Sequence, residues 1–216
     1  MDKSKILSAI KELKEKHKRN FKQTFDLIIT LKDLDLKKTE EQIDFFTQLH
    51  YPKGKNTVVC ALVGPELKAA AKEACDFSVV ADDFDKYAKN PKETKKLAEK
   101  CDYFIAQANI MPKVAAAFGK VLGKRGKMPN PKAGCVVPPN ANLKLLVDKL
   151  QKTVRLMAKT SLMIQAIVGK EESPEEQVVD NILTVHDAVI HHTPKGKNNV
   201  NKVLLKLTMS KPVRIN

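Results

Sequence analysis

Hydrophobic and polar residues alternate along the segment from Phe21 to Leu31. One side of the alternation carries Phe21, Gln23, Phe25, Leu27, Ile29 and Leu31. The other side carries Lys22, Thr24, Asp26, Ile28 and Thr30. A period of two residues is typical of a β-strand with two different faces, so the sequence predicts a long strand here. The preceding segment, Ser4 to His17, has a helical period with Ile6, Ile10 and Leu13 on one face.

The pattern after residue 38 admits two interpretations at its start. Thr39 and Gln42 have the spacing of a helical capping box, but the alternation from Ile43 to Tyr51 favours a strand. The turn sequence YPKGKN and the β-branched run TVVCALV come next. Together they predict a β-hairpin.

Strands and helices alternate between Glu66 and Lys152. The sequence predicts helices in ELKAAAKEA, NPKETKKLAEK, MPKVAAAFGKVLG and NLKLLVDKLQK, and strands in DFSVV, DYFIAQ and CVVP. Asn90 and Pro91 have the types expected at the cap and first position of a helix. This alternation is typical of an α/β layer structure with a parallel sheet.

Hairpin-type patterns return at Thr153. The predicted strands are TVRLMAK, SLMIQAIVGK and NKVLLKLTM. A helix is predicted before the last strand, with Ser173 as its cap and Pro174 next. Glu176 completes a capping box with Ser173. Each chain end alone is too small to bury a sheet face. We therefore expect an α/β (α+β) protein of two domains. Residues 1–65 and 153–216 form a split α+β domain, and residues 66–152 form an inserted three-layer α/β domain.

Charge indicates the class of partner. Lysine and arginine number 39 against 25 acidic residues, a formal balance of +14. No acidic residue occurs between Asp102 and Asp148, or after Asp187, and a further basic cluster, KEKHKRNFK, precedes the first strand. One such cluster is typical of a solvated face, but three together favour contact with phosphates.

Other classes of protein fit the sequence less well. No apolar run suits a membrane span or a signal peptide, and the isolated cysteines are typical of reduced core residues in a cytosolic protein. Gly119 and Gly123 lack P-loop spacing, the histidines lack metal-site spacing, and no nucleophile has a base beside it. We expect no enzyme, no cofactor and no metal site. The alternatives are a nucleotide-using α/β enzyme and a basic nucleic-acid chaperone.

Four stretches carry a family resemblance: GKVLGKRGKMPNPKAG, RNFKQTFDLIITLKDLD, DYFIAQANIMP and the terminal KLTMSKPVRIN. They resemble the universal mobile-stalk protein family of the large ribosomal subunit, conventionally protein number one, and most closely its archaeal branch. The resemblance implies a structural constituent of the cytoplasmic ribosome that binds large-subunit rRNA at the stalk. It also implies assistance in releasing deacylated tRNA from the exit site, repression of translation through the protein's own mRNA, and a monomeric state off the ribosome.

The resemblance also places an RNA-binding surface by position. Its residues would be Phe21, Thr24, Asp26, Gln165, Lys170, Thr208, Met209 and Ser210. Placing Met209 on RNA requires the last strand to end or bend, because regular alternation would put it on the apolar face with Leu205 and Leu207. The family usually has glycine at position 210, where a positive φ or a close approach of RNA would be possible.

The loop KRGKMPNPKAG forms a second basic site. Its cations are Lys124, Arg125, Lys127 and Lys132. They either line a nucleic-acid-facing edge of the inserted domain or belong to an interdomain brace. The family usually has proline at position 124, where this chain has lysine.

Overall fold

The structure is a computed structural model that describes residues 1–17 and 19–216. Its helices are α1 (Lys3–Lys16), α2 (Lys68–Ala74), α3 (Phe84–Lys89), α4 (Pro91–Lys100), α5 (Met111–Leu122), α6 (Leu143–Lys152) and α7 (Glu175–His192). Its strands are β1 (Thr24–Leu31), β2 (Ile43–Gln48), β3 (Val59–Val63), β4 (Phe77–Val80), β5 (Tyr103–Gln107), β6 (Val136–Val137), β7 (Thr153–Ala158), β8 (Met163–Lys170), β9 (Val200–Leu207) and β10 (Val213–Arg214). The chain divides into two compact units, residues 1–55 with 152–216, and residues 56–151.

The discontinuous unit is built on an antiparallel sheet with strand order β10-β9-β1-β8. Burial alternates along β1, where Phe25, Leu27, Ile29 and Leu31 are buried and the residues between them are half-buried. The period of two therefore separates a core face from an open face, and the predicted alternation is confirmed over this strand. Phe21 does not continue it, because β1 begins only at Thr24 and the Phe21 side chain is 50% exposed.

Helices α1 and α7 cover the core face of this sheet. They contribute Ile6, Ile10, Leu13, Val178, Ile182, Val185 and Val189 to the same hydrophobic core as β1, β8 and β9. Strands β2 and β7 form a separate antiparallel pair that adds Ile43, Phe45 and Leu156 to this core. On that pair, two hydrogen bonds from Arg155 hold the Asp44 carboxylate at 2.8 and 2.9 Å and lower its pKa to about 2.

The continuous unit has three layers. Its parallel sheet has strand order β4-β3-β5-β6, and all five residues of β3 are buried. One face packs against α3, α4 and α5 through Phe84, Ala98, Val114 and Phe118. The other face packs against α2 and α6 through side chains that include Ala71, Leu143 and Leu150. The predicted fold class, α/β with a three-layer part, is confirmed.

Two local predictions are wrong. Strand β3 does not form a hairpin with β2, because it pairs in parallel with β4 and β5, whereas β2 pairs with β7. It lies in the 56–151 unit, so that unit begins before the expected boundary at residue 66. Ser173 does not cap α7, because its hydroxyl accepts a hydrogen bond from the Lys170 N–H and Pro174 occupies the cap position.

The cysteines are all free thiols, of which Cys60, Cys101 and Cys135 are buried and Cys75 is half-buried. Within the described ranges, no helix combines the length and hydrophobicity needed to cross a membrane.

In each unit, hydrogen bonds join the two chain segments that lie next to the crossings between the units. In the discontinuous unit, Lys53 Nζ donates to the Thr153 carbonyl at 2.9 Å and the Leu49 N–H donates to the Lys152 carbonyl. In the continuous unit, the Gln151 carboxamide bonds both the N–H and the C=O of Thr57, each at 2.8 Å. Separate cores and joined ends are the features of domains that fold alone. We therefore propose that the two units fold independently.

This proposal predicts that residues 56–151 can be removed. A chain in which a short glycine linker joins Lys55 to Lys152 should unfold cooperatively in urea, because the core around α1, α7 and β1 is intact. Its denaturant m-value should fall in proportion to the surface removed. A broad, non-cooperative transition, or loss of helical circular dichroism in the shortened chain, would contradict independent folding.

Candidate nucleic-acid interface

The open face of the antiparallel sheet carries the polar half of β1. Asp26 lies opposite Lys206 of β9 and Ile167 of β8, and Ile28 lies opposite Leu204 and Gln165. These side chains are exposed or half-buried, whereas the opposite face is covered by α1 and α7. The face therefore mixes charged, amide and aliphatic groups on a rigid, hydrogen-bonded support.

Thr24 and Thr208 join the end of this face where β1 begins and β9 ends. The Thr24 N–H donates to the Thr208 hydroxyl at 3.1 Å, and the Thr208 N–H donates to the Thr24 carbonyl at 3.1 Å. The two hydroxyl oxygens are also 3.1 Å apart. The Thr208 hydroxyl therefore already has a protein partner, and both threonines stay accessible at the sheet end.

Gln23 ties three segments together beneath this end. Its side chain is only 1% exposed, its Nε2 donates to the His17 carbonyl at 2.7 Å, and its Oε1 accepts from the Met209 N–H at 3.1 Å. Its backbone N–H and C=O both bond Glu171, which follows β8. A buried amide with every group satisfied holds its neighbours in one geometry. Gln23 thus positions the turn that carries Met209.

Asp26 occupies a depression of about 220 Å³ on the open face. The walls are Asp26, Ile28, Gln165, Ala166, Ile167 and Lys206. Partial burial raises the pKa of Asp26, and the charge of Lys206 opposes that rise. Throughout the described part of the chain, no hydrogen bond or ion pair reaches the Asp26 carboxylate. It is therefore a strong acceptor in a concave site, held there at a cost in desolvation.

Lys170 lies beside Thr24, at the end of β8. Its aliphatic stem packs on Gly54, where an added Cβ would overlap Lys170 Cγ. Gly54 also has a φ of +92°, which favours glycine. Both the φ at position 54 and the placement of Lys170 therefore favour glycine there.

Met209 is 61% exposed because β9 ends at Leu207. The alternative that placed Met209 in the core with Leu205 and Leu207 is wrong. The structure brings Thr24, Asp26, Gln165, Lys170 and Thr208 onto one sheet face. Gln165 lies opposite Ile28 in the middle of β1, and the other four lie towards the end where β1 begins. Phe21 and Met209, both exposed, lie in the segments next to it. That arrangement places hydrogen-bond acceptors, donors and exposed apolar groups together, which are the kinds of group that contact unpaired RNA in proteins generally.

Comparison with known proteins shows which family the chain resembles. Residues 13–211 match the model of the Ribosomal protein L1p/L10e family. The chain is 39% identical over 213 residues to the large ribosomal subunit protein uL1 of Nanoarchaeum equitans, covering 97% of this chain and 98% of that one. It is 37% identical over 216 residues to the uL1 protein of Methanocaldococcus jannaschii, covering 100% and 96%. The chain belongs to the ribosomal protein L1p/L10e family.

As an archaeal-type member of the L1p/L10e family, the chain is a ribosomal protein and not an enzyme. This identification confirms the sequence resemblance. Positions 124 and 210 are the two at which the chain departs from the pattern expected from the resemblance.

Ser210 stands where the family resemblance leads us to expect glycine. Among the described residues, Asp33 is the only non-glycine residue with positive φ, so the backbone at Ser210 needs no glycine. The Ser210 hydroxyl accepts from the Leu207 N–H at 2.8 Å, and its own N–H donates to the Leu207 carbonyl. Ser210 therefore closes the end of β9 with its side chain, which is a role that glycine cannot have.

The basic loop contains two kinds of cation. Lys127 Nζ donates to the carbonyls of Ala98 and Cys101 at 2.9 and 2.7 Å, and Arg125 bonds Glu99 at 2.7 Å. These two residues brace the loop against α4 within its own unit. Lys124 and Lys132 are exposed, and no contact of their ammonium groups is found within residues 1–17 and 19–216. Lysine in place of proline at position 124 thus adds an exposed charge.

Sequence reasoning missed Gln23, Gly54 and Lys206 as parts of the site. Lys206 Nζ donates to the Thr208 carbonyl at 3.1 Å, beside the depression that holds Asp26. The available signal was a polar residue at an apolar position of the predicted alternation, which Gln23 occupies. Its partners at positions 171 and 209 are far away in sequence, so no local pattern identifies them.

The loop predicts a difference between two lysines. Lys127→Gln should lower the free energy of unfolding by about 1 to 3 kcal/mol, because it leaves two carbonyls at the end of α4 with a weaker partner or none. Lys124→Gln, the matched control with the same charge change, should alter it by less than about 0.5 kcal/mol. Urea unfolding measures both. Equal effects of the two substitutions would show that Lys127 is not a structural cation.

Proposed function

We propose that this chain is a component of the large subunit of the cytoplasmic ribosome that binds large-subunit rRNA at the mobile stalk. The proposed binding surface is the part of the open sheet face that carries Thr24, Asp26, Gln165, Lys170 and Thr208. Relatives named large ribosomal subunit protein uL1 match nearly the full chain, which supports the assignment to that subunit. The observation that carries the RNA assignment is the unpartnered, half-buried Asp26 carboxylate among exposed donors.

The chemistry of the surface favours RNA over a simple polyanion. A carboxylate repels phosphate but accepts hydrogen bonds from a ribose 2′-hydroxyl or a base amine. Lys170 and Lys206 supply charge for the neighbouring phosphates, and exposed Met209 and Phe21 offer apolar surface to unstacked bases. An acceptor held between cations discriminates among RNAs, which a uniformly basic surface does not. This distinguishes the proposal from a general nucleic-acid chaperone.

We add three further proposals, of which the first concerns the same surface. A stem-loop in the protein's own mRNA that mimics the rRNA site would compete for it and repress translation when the protein is in excess. The exposed Lys124 and Lys132 of the other unit are the residues we assign to transient contact with exit-site tRNA, whose departure the protein would assist. Off the ribosome we propose a monomer.

Replacing Asp26 with asparagine tests the RNA assignment. Asp26→Asn should weaken binding to an rRNA fragment containing the stalk by about tenfold or more, because a hydrogen bond to a charged acceptor is worth about 1.5 to 3 kcal/mol. Affinity for a scrambled RNA of equal length should stay the same or rise, because a negative charge has been removed. Binding isotherms on both RNAs give the selectivity.

The same substitution should stabilise the free protein at neutral pH. Burial raises the pKa of Asp26, so ionisation destabilises the folded state as the pH rises through the carboxyl range, and asparagine removes that effect. The gain in melting temperature should vanish at a pH below the usual carboxyl range. Glu15→Gln, an exposed residue of α1, controls for the change in net charge. Unchanged selectivity in Asp26→Asn beside a raised melting temperature would contradict the proposed role.

A further inference from the structure

A cluster of lysines surrounds the opposite end of the same sheet, where β1 ends and β9 begins. Its members, which we call the distal lysine patch, are Lys32, Lys195, Lys197 and Lys202, and all four are exposed. They come from two segments that are far apart in sequence. The fold therefore brings separate cations to one place.

Asn199 holds these two segments together. Its side chain is completely buried, its Nδ2 donates to the carbonyls of Lys32 and Asp33 at 3.0 and 3.3 Å, and its Oδ1 accepts from the Lys195 N–H at 2.7 Å. The Lys32 N–H donates to the Asn199 carbonyl at 2.8 Å. Asp33 is kept in a left-handed conformation with a φ of 56°. The backbone that carries the patch is thus rigid.

The ammonium groups of the patch lack acidic partners, although ion pairs are common elsewhere in this chain. Lys14, Lys22 and Lys159 bond Glu175, Glu172 and Asp44, respectively. No comparable contact involves Lys32, Lys195, Lys197 or Lys202 in the described part of the chain. Asp33 is the adjacent acid, and no acidic residue follows Asp187. The patch therefore has a surplus of positive charge that the protein itself does not neutralise.

The patch is aligned with the proposed RNA-binding end. Lys202 pairs with Thr30, as Lys206 pairs with Asp26, so both lysines flank the open side of β1. Thr24 and Thr30 are the first and seventh residues of β1, and a strand advances about 3.3 Å per residue, so about 20 Å separates the two ends. A stiff ligand anchored at Thr24 and Thr208 and lying along the face reaches the patch.

We propose that the distal lysine patch binds the phosphate backbone of a helical arm of the RNA whose recognised element is held at Thr24, Asp26 and Thr208. This inference rests on the proposed function. An exposed lysine contributes little to binding one small anion, but several of them together release counterions from a polymer of phosphates. Selectivity among RNAs then comes from the end of the sheet at Thr24 and Thr208. The distal lysine patch at the other end supplies a salt-dependent share of the affinity.

The test compares two triple variants of the full chain with equal charge change. The patch variant is Lys195→Gln, Lys197→Gln and Lys202→Gln. The control is Lys3→Gln, Lys5→Gln and Lys11→Gln on α1, which covers the other face of the sheet. The probes are a stalk fragment of large-subunit rRNA transcribed in vitro, the same fragment with its arm one helical turn longer, and scrambled versions of both. Dissociation constants are measured across a salt series.

On the longer stalk RNA, the patch variant should reduce the slope of log affinity against log salt by about 2, because each phosphate that the protein no longer neutralises lowers the slope by about 0.7 to 0.9. The shorter RNA should show little change, and the control variant none on either RNA. An unchanged slope in the patch variant, or the same reduction in both variants, would overturn the proposal. So would binding to phosphatidylserine vesicles that depends on the patch while the RNA slopes stay constant.

The same binding measurements test the proposed function separately from the distal lysine patch. Absence of any wild-type preference for the stalk RNA over its scrambled versions would refute the proposed function. The slope difference between the two variants still decides whether the patch contacts phosphates, because it is also measured on the scrambled RNAs.

Discussion

The arrangement of the candidate interface depends on one buried side chain, Gln23. Its carboxamide joins the end of α1 to the turn after β9, and its backbone joins both to the segment after β8. These segments are close only in the folded chain, and leaving either amide group unpaired in this buried position would cost about 1 to 3 kcal/mol. Because the amide is satisfied on both sides, exposed Met209 and its neighbour Thr208 are presented on a fixed turn. An interface of exposed residues is thus held in place from inside the core.

The candidate site includes groups that lower the stability of the folded chain. Asp26 stays half-buried without a described partner, and Thr24 and Thr208 lie at a strand end where longer pairing would have continued the sheet. The large apolar clusters of α1, α7 and β1 carry the fold instead. The basic residues have divided roles. Lys127 and Arg125 brace the basic loop against α4 in the continuous unit. The distal lysine patch and Lys124 remain available to a ligand. Composition alone cannot separate these roles, because the separation depends on which carbonyls and carboxylates lie nearby.

Local sequence patterns predicted most of the helices and strands, because the buried residues of those elements repeat with the regular period of a helix or a strand. The alternation in β1 identified both faces, and Pro91 marked the start of α4. The hairpin prediction failed because it relied on turn residues and propensity, which do not choose the partner strand. The sequence signal for the correct pairing was the continuous apolar run Val59–Val63. Such a run is typical of a parallel strand covered on both faces, and all five residues are buried. The site residues came from resemblance, and their supports at Gln23, Gly54 and Asn199 act across long sequence separations that no local pattern reports.

Hydrogen exchange at the Met209 amide in Gln23→Met tests the role of Gln23, because the substitution keeps the side-chain length and removes both polar groups of the carboxamide. Without the acceptor at 3.1 Å, the protection of this amide should fall about tenfold, the equivalent of about 1.4 kcal/mol. The amides of Ile29 and Leu205, in the middle of the sheet, should keep their wild-type protection, since local opening does not require global unfolding. Unchanged protection at Met209 would show that Gln23 does not hold the candidate interface in place.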